Sequence, residues 1–239
     1  DTMYDVLLNG SGNPSSQFPS RAAAKKRLEA DRAVIAAALG CKPDELYFTS
    51  CGTESDNWAI RLAAHQNRRV GKHIITTAVE HSAVLEPCRQ LEQEGYAVTY
   101  LAPDRQGNIT AQQVADALRE DTALVSVMLV NNETGCVFPV GEIARLLRER
   151  GSKALLHTDA VQAFLKLPFR ADTLGADLIS VSGHKLNAPK GVGALYIGPR
   201  CRAVRPLLAG RAQVGGLPFV ASHMVQAAGM ANGGELTVE

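Results

Sequence analysis

An α/β architecture, with a mostly parallel central sheet covered by helices, is predicted by three features of this 239-residue sequence. Short β-type runs alternate with helical ones, several strand runs are apolar on both faces, and polar motifs follow directly after the strands. Strands of a parallel sheet are buried on both sides and read as near-continuous apolar runs, as Leu124-Val-Ser-Val-Met-Leu-Val130 does. In such a sheet ligands collect at the carboxyl ends of the strands, so chemistry is expected in the residues just after each one.

The first element is helical. From Ser20, Ala24, Leu28, Ile35 and Leu39 fall at spacings of four, seven and four, with Ser20 able to cap the start and Gly40 the end. Strands are expected at Leu46 to Thr49, His73 to Val79, Ala97 to Ala102, Leu124 to Val130, Ala154 to His157, Leu178 to Val181 and Ala194 to Ile197. Helices are expected between them at about 54 to 66, 82 to 94, 110 to 119 and 139 to 150. No internal repeat, low-complexity tract or clear linker precedes about residue 205. After Leu208 the composition turns small and flexible through Ala209-Gly-Arg-Ala-Gln-Val-Gly-Gly216, with one weak helical stretch near 218 to 230. Residues 1–208 are therefore expected to form one large domain, and 209–239 a flexible segment leading toward a second.

The charge balance, 25 basic against 24 acidic residues, supplies no overall field for nucleic acid or an anionic membrane, which leaves a small molecule as the expected substrate. No apolar run is long enough to cross a bilayer, and Asp1 to Gly10 lacks the basic-then-apolar order of a signal peptide. The five cysteines are scattered, odd in number and without a CxxC pair, which argues against a disulfide framework or a metal site and for a reducing, cytoplasmic setting.

The strongest chemical signal is Ser182-Gly183-His184-Lys185, directly after the strand ending at Val181. In a crevice, desolvation and neighbouring positive charge favour the neutral, nucleophilic form of an amine, which can hold pyridoxal 5'-phosphate (PLP) as an imine. Ser182 and His184 flank it with groups that bind phosphate oxygens. Taken alone, the tetrapeptide equally fits a solvated loop lysine. Asp159 follows another strand, 26 positions before Lys185, where a buried carboxylate can pair with a protonated pyridine nitrogen. A lone aspartate there is more often a helix cap; beside Lys185 the cofactor role is the stronger reading.

Thr49-Ser-Cys-Gly-Thr-Glu-Ser55 joins a strand to a helix, and free amides at a helix start, here those of Gly52 and Thr53, suit a phosphate. The other reading is an ordinary helix start capped by Thr53. His81 opens the next helix and can stack on a ring and move protons near neutral pH, or be purely structural. Asn131-Asn-Glu-Thr-Gly135 is either a polar turn closed by Gly135 or a loop whose Asn132 amide reaches a ring substituent. No GxGxxG follows the first strand, which disfavours a dinucleotide binder.

Gly12-Asn-Pro-Ser-Ser16, Gly52-Thr-Glu-Ser55, Glu80-His81-Ser82, Asn131-Asn-Glu-Thr-Gly135, Asp159-Ala-Val-Gln162 and Ser182-Gly-His-Lys185 occur in the order found in NifS/IscS-like cysteine desulfurases of the class V aminotransferase group, which this chain resembles to about Leu208. The resemblance implies the large domain of a fold-type I PLP enzyme, usually a homodimer, that takes sulfur from L-cysteine, leaves alanine and passes a persulfide to an acceptor protein. It implies Lys185 as the Schiff-base lysine and acid/base group, His81 as ring-stacking proton carrier, and Asp159 on the pyridine nitrogen. Gln162 and Asn132 would lie near the phenolic oxygen, and Thr53, Ser182 and His184 on the phosphate.

The family's Ser-Ser-Gly-Ser-Ala-Cys-like segment, its arginine-containing Gly-rich stretch and its opening Asn-Ala-Ala-Thr-like loop are not found in this chain. They are expected in parts of the protein outside it, and Cys51 and Cys136 are expected to be packed or incidental thiols. A selenocysteine lyase or β-lyase would share the same cofactor site, and a catalytically silent PLP-fold partner subunit would lack the sulfur acceptor.

Overall fold

A computed structural model describes residues 20–201, 204, 207 and 229–231. Its centre is a seven-stranded sheet of β1 (Leu46–Thr49), β2 (His73–Thr77), β3 (Ala97–Leu101), β4 (Thr122–Ser126), β5 (Leu155–Asp159), β6 (Leu178–Ser182) and β7 (Gly193–Ile197), in the order β1-β7-β6-β5-β4-β2-β3. β7 runs antiparallel to both its neighbours, and the remaining adjacent pairs are parallel. The carboxyl ends of β1, β2, β4, β5 and β6 therefore open on one edge. β2, β4, β5, β6 and β7 are buried along their whole length, which is why both-sided apolar runs mark them, whereas β3 at the sheet edge is half exposed.

Helices cover both faces. α1 (Ser20–Leu39) buries Leu28, Ile35 and Leu39 and stops at Gly40, whose φ of +78° needs a residue without a Cβ. The Ser20 side chain, the Gly12 to Ser16 motif and the segment 209–228 lie outside the described residues. α2 (Gly52–Gln66) and α3 (Ser82–Gln93) lie on the face where Trp58, Leu62, Val84 and Leu91 pack with Leu124, Leu155, Leu178 and Leu195. α4 (Ala111–Ala117), α5 (Val140–Glu149) and the short α6 (Ala171–Leu174) complete the cover, with Ile143 and Leu147 of α5 joining Val125, Leu156 and Ile179 in the second core.

β4 begins earlier and ends sooner than the expected Leu124 to Val130. Thr122 enters the ladder because its hydroxyl bonds His73 Nδ1 at 2.8 Å. The pairing with β2 ends at Ser126, and the Met128 amide donates to the Glu80 carboxylate (2.9 Å) instead of to a strand carbonyl. Among the described residues no helix is long and apolar enough to cross a membrane, and no cluster of His, Cys, Asp or Glu is arranged to hold a metal ion.

Candidate active site

On the α2 face, side chains at alternate positions of adjacent strands share a register. Leu124 lies beside Leu155, Ser126 beside His157, and Asp159 beside Ser180. The inner face thus grades from leucines at the amino end, through a buried Ser126, His157 and Ser180 layer, to Asp159 and Ser182 at the carboxyl edge.

A cavity of about 220 Å³ opens at that edge, lined by Gly52, Thr53, Asp56, His81, Asn132, Asp159, Gln162, His184 and Lys185 together with Cys51, Met128, Val130 and Val161. Eight of the nine residues singled out from the sequence meet there. The ninth, Ser182, is buried behind the wall, its hydroxyl 2.8 Å from His184 Nδ1.

The loop between β1 and α2 is held by a 2.7 Å hydrogen bond between the Thr49 and Ser55 hydroxyls and by the Ser50 amide donating to Glu54 at 2.6 Å. Cys51, not Thr53, is the N-cap, and it makes no side-chain cap, so the alternative reading of Thr53 as a structural cap is not realised. Thr53 is exposed on the first turn. A Cβ on Gly52 would stand 2.9 Å from Val161 Cγ2 and 3.3 Å from the Ser182 Cβ. Glycine therefore lets the helix start press against the loops after β5 and β6 while its first amides stay open to an anion. Lys166, Lys185 and Lys190 surround His184, and partial desolvation, then these three charges, push its imidazole below the usual value. The first amides of α2 and the His184 imidazole, oriented by the Ser182 hydroxyl and set among lysines, form a set that suits phosphate.

On this basis Gly52→Ala is expected to weaken binding of a phosphorylated ligand by at least tenfold and to lower stability by roughly 1–3 kcal/mol through overpacking. Titrations with PLP and with its unphosphorylated analogue check this, since only the former should lose affinity.

Asp159 ends β5, and its Oδ1 accepts the Val161 amide at 2.8 Å. Burial first, then the Asp56 carboxylate, push its carboxyl up to about 7. A carboxyl raised in this way changes charge close to neutral pH and favours its ionised form when a cation enters. His81 is the N-cap of α3, and its Nδ1 accepts the Ala83 amide at 3.1 Å. Its structural reading is realised, with Nδ1 committed to the helix, and the residue also lines the cavity. The Asn131 and Asn132 pair divides in the same manner. Asn131 is buried, accepts the Glu133 and Thr134 amides, donates to the Val79 carbonyl and shapes the turn with Gly135 at φ +75°, while exposed Asn132 faces the cavity. Gln162 is half-buried and also lines the cavity.

Lys185 sits in the 3-10 turn Gly183–Leu186 that follows β6. The expected desolvated lysine is not found: its side chain is exposed, because the turn carries it to the mouth of the cavity. It makes no hydrogen bond or ion pair among the described residues, and is free to reach a carbonyl carbon in the cavity. Of the thiols, burial pushes Cys41, Cys88 and Cys201 up to about 12, leaving them inert as nucleophiles. Cys51 stands on the cavity wall and Cys136 against the Gln106 carbonyl at 3.6 Å.

Sequence reasoning missed Asp56, Glu80 and His157. Asp56 lies one helical turn after Gly52, on the face that meets the cavity, and His157 precedes Asp159 by two positions, on the same strand face. Those spacings were the available signal. Glu80 is buried, accepts from the Thr77 hydroxyl and the Met128 amide at 2.9 Å each, and is pushed up to about 8 chiefly by burial.

The Aminotransferase class-V family model matches residues 1–232. The chain is 44% identical over 213 residues to the cysteine desulfurase IscS of Methanosarcina thermophila, a match covering 89% of this chain and 52% of the relative. A solved NifS-like protein superposes with a TM-score of 0.92 at 36% identity, covering 99% of this chain and 65% of that one. The structure of SspA in complex with cysteine superposes with a TM-score of 0.89 at 36% identity, covering 98% of this chain and 67% of that one. The chain thus spans about half the length of the curated relative.

Proposed function

The chain belongs to the class V aminotransferase family, alongside the NifS/IscS-like cysteine desulfurases, and from that premise we propose that it forms the cofactor-holding part of a PLP-dependent L-cysteine desulfurase. The observation that carries this reading is the convergence of Lys185, Asp159, His81 and the open amides of α2 on one cavity. The bound cysteine of SspA supports the substrate class. In this reading residues 1–208 are the cofactor domain and 209–239 lead toward a second one, the protein works as a homodimer, and sulfur leaves on an acceptor protein.

PLP supplies an electron sink that lowers the cost of removing a proton beside the substrate amine. Gly52, Thr53, His184 and Ser182 would hold its phosphate. Asp159 would hold the proton on its ring nitrogen, and Asn132 and Gln162 would orient the ring edge. Lys185 would hold the cofactor's carbonyl carbon and would serve as the base at the substrate carbon. His81, anchored through Nδ1, would move a proton through Nε2 at the cavity. None of the five cysteines of this chain is assigned the sulfur-acceptor role, which needs a mobile thiolate.

The test is product analysis of the full-length protein loaded with PLP and given L-cysteine, L-selenocysteine or L-cystine in turn. Alanine from cysteine with one sulfur released per turnover is expected. Alanine from selenocysteine alone identifies a selenocysteine lyase, pyruvate and ammonia from cystine a β-lyase, and PLP binding with no product a silent partner subunit.

A further inference from the structure

Asp56 is 1% exposed, and its Oδ1 has no hydrogen-bond partner although the residue lines the same cavity as Asp159. That oxygen lies 3.5 Å from His157 Nε2. The Ser180 hydroxyl bonds the Asp56 carboxyl and stands 3.0 Å from the same Nε2, and the Ser126 hydroxyl stands 2.8 Å from His157 Nδ1. A chain of polar groups thus runs across β4, β5 and β6 and ends at Asp56 on α2. Each link is buried.

His157 does not neutralise Asp56. Burial pushes its imidazole down to about 4, so it is uncharged at neutral pH and the 3.5 Å approach is no ion pair. A neutral imidazole and two hydroxyls can then be ordered in two ways. In one, Ser126 donates to Nδ1, Nε2 donates to Ser180, and Ser180 donates to an Asp56 carboxylate. In the other, a protonated Asp56 donates to Ser180, Ser180 donates to Nε2, and Nδ1 donates to Ser126. The second order satisfies a neutral Asp56 without any cation.

Two carboxylates on one buried cavity repel, so a single negative charge is favoured over two. Its place is decided by the partners. Asp159 has the Val161 amide on Oδ1 and the attraction of His81 across the cavity, while Asp56 has only the Ser180 hydroxyl. Glu80, the remaining buried acid facing the pair, is raised to about 8 chiefly by burial, with the two aspartates adding to the rise, and so holds its own proton at neutral pH. Lys185 stands at the mouth of the cavity.

We propose that Asp56 is a positioning residue that holds the proton of this buried pair, through the Ser180, His157 and Ser126 chain, and so confines the negative charge to Asp159, where the cation of the bound cofactor is met. Burial as the leading cause raises both carboxyls to about 7, so the order within the pair is set by geometry: the Val161 amide meets Asp159 Oδ1, whereas Asp56 Oδ1 has no donor to hold a charge. The identity of the cation rests on the function proposed above, whereas the placement of the proton does not.

The test is infrared difference spectroscopy of the full-length protein at neutral pH, first without cofactor. A protonated-carboxyl C=O band is expected that disappears in Asp56→Asn, shifts in Ser180→Ala, which keeps the carboxyl but removes its partner, and persists in Asp159→Asn. Glu80→Gln separates that residue's own band. On adding PLP to the wild type, the Asp56 band should remain. A band lost in Asp159→Asn but untouched in Asp56→Asn, or an Asp56 band that vanishes on loading with PLP, overturns the proposal. Failure to bind PLP at all would instead remove the functional reading and leave the band assignment standing.

Discussion

Lys185→Ala is expected to abolish the lysine-bound form of the cofactor altogether. Lys185 is the lysine on the cavity wall, and it has no competing hydrogen bond or ion pair among the described residues. Lys166 and Lys190 are near enough to act on His184, yet neither lines the cavity. Reduction with borohydride followed by peptide mapping should place the cofactor adduct on Lys185 in the wild type and on no lysine in the variant. Turnover should fall by roughly 10²–10⁴-fold from the lost proton transfer alone. Phosphate contacts are untouched, so PLP should still bind, reversibly and without the yellow absorbance of the lysine-linked form. An adduct at another lysine in the variant would refute the assignment.

Asp159→Asn is expected to leave the protein folded while weakening PLP binding by about ten- to a hundredfold, the equivalent of one charge-assisted hydrogen bond of roughly 1.5–3 kcal/mol. The sign of the accompanying pH effect follows from burial. Its carboxyl is held up to about 7 in the folded, cofactor-free chain, against an ordinary value of 3.8. The folded state therefore binds the proton more tightly than the unfolded one, and the stabilisation is complete below the unfolded value and lost as pH rises through about 7. An asparagine cannot ionise, so the cofactor-free variant should lose less stability between pH 6 and pH 8 than the wild type. Chemical denaturation at the two pH values measures this. Equal losses in both proteins, or an unchanged PLP affinity, would show that Asp159 does not carry the charge.

The outcome at the site separates what local pattern encodes from what it does not. The loops after β1, β2, β4, β5 and β6 were legible because each polar motif directly follows a strand, and five parallel strand ends share one edge of the sheet. His81 and the Asn131–Asn132 pair show where motif reading stops. Whether such groups shape the backbone or line a cavity depends on hydrogen bonds such as Ala83 to His81 Nδ1, and here the same loops do both. Lys185 was legible as a residue and not as an environment, since its exposure is a property of the turn after β6.

By itself the sequence determined the α/β alternation, the strand runs buried on both faces and the lysine, aspartate and helix-start set that meets at one cavity, because these depend on residue type and on neighbours close along the chain. Only the tertiary structure decided that β7 enters antiparallel between β1 and β6, and that Ser126, His157 and Ser180 line up beneath Asp159. Those residues are 31 and 23 positions apart and are joined by strand register, which is set by the packing of the leucine layer against α2. The raised carboxyls of Asp56 and Asp159 have the same origin: an aspartate's sequence neighbours do not remove its water, and a helix laid across a sheet does.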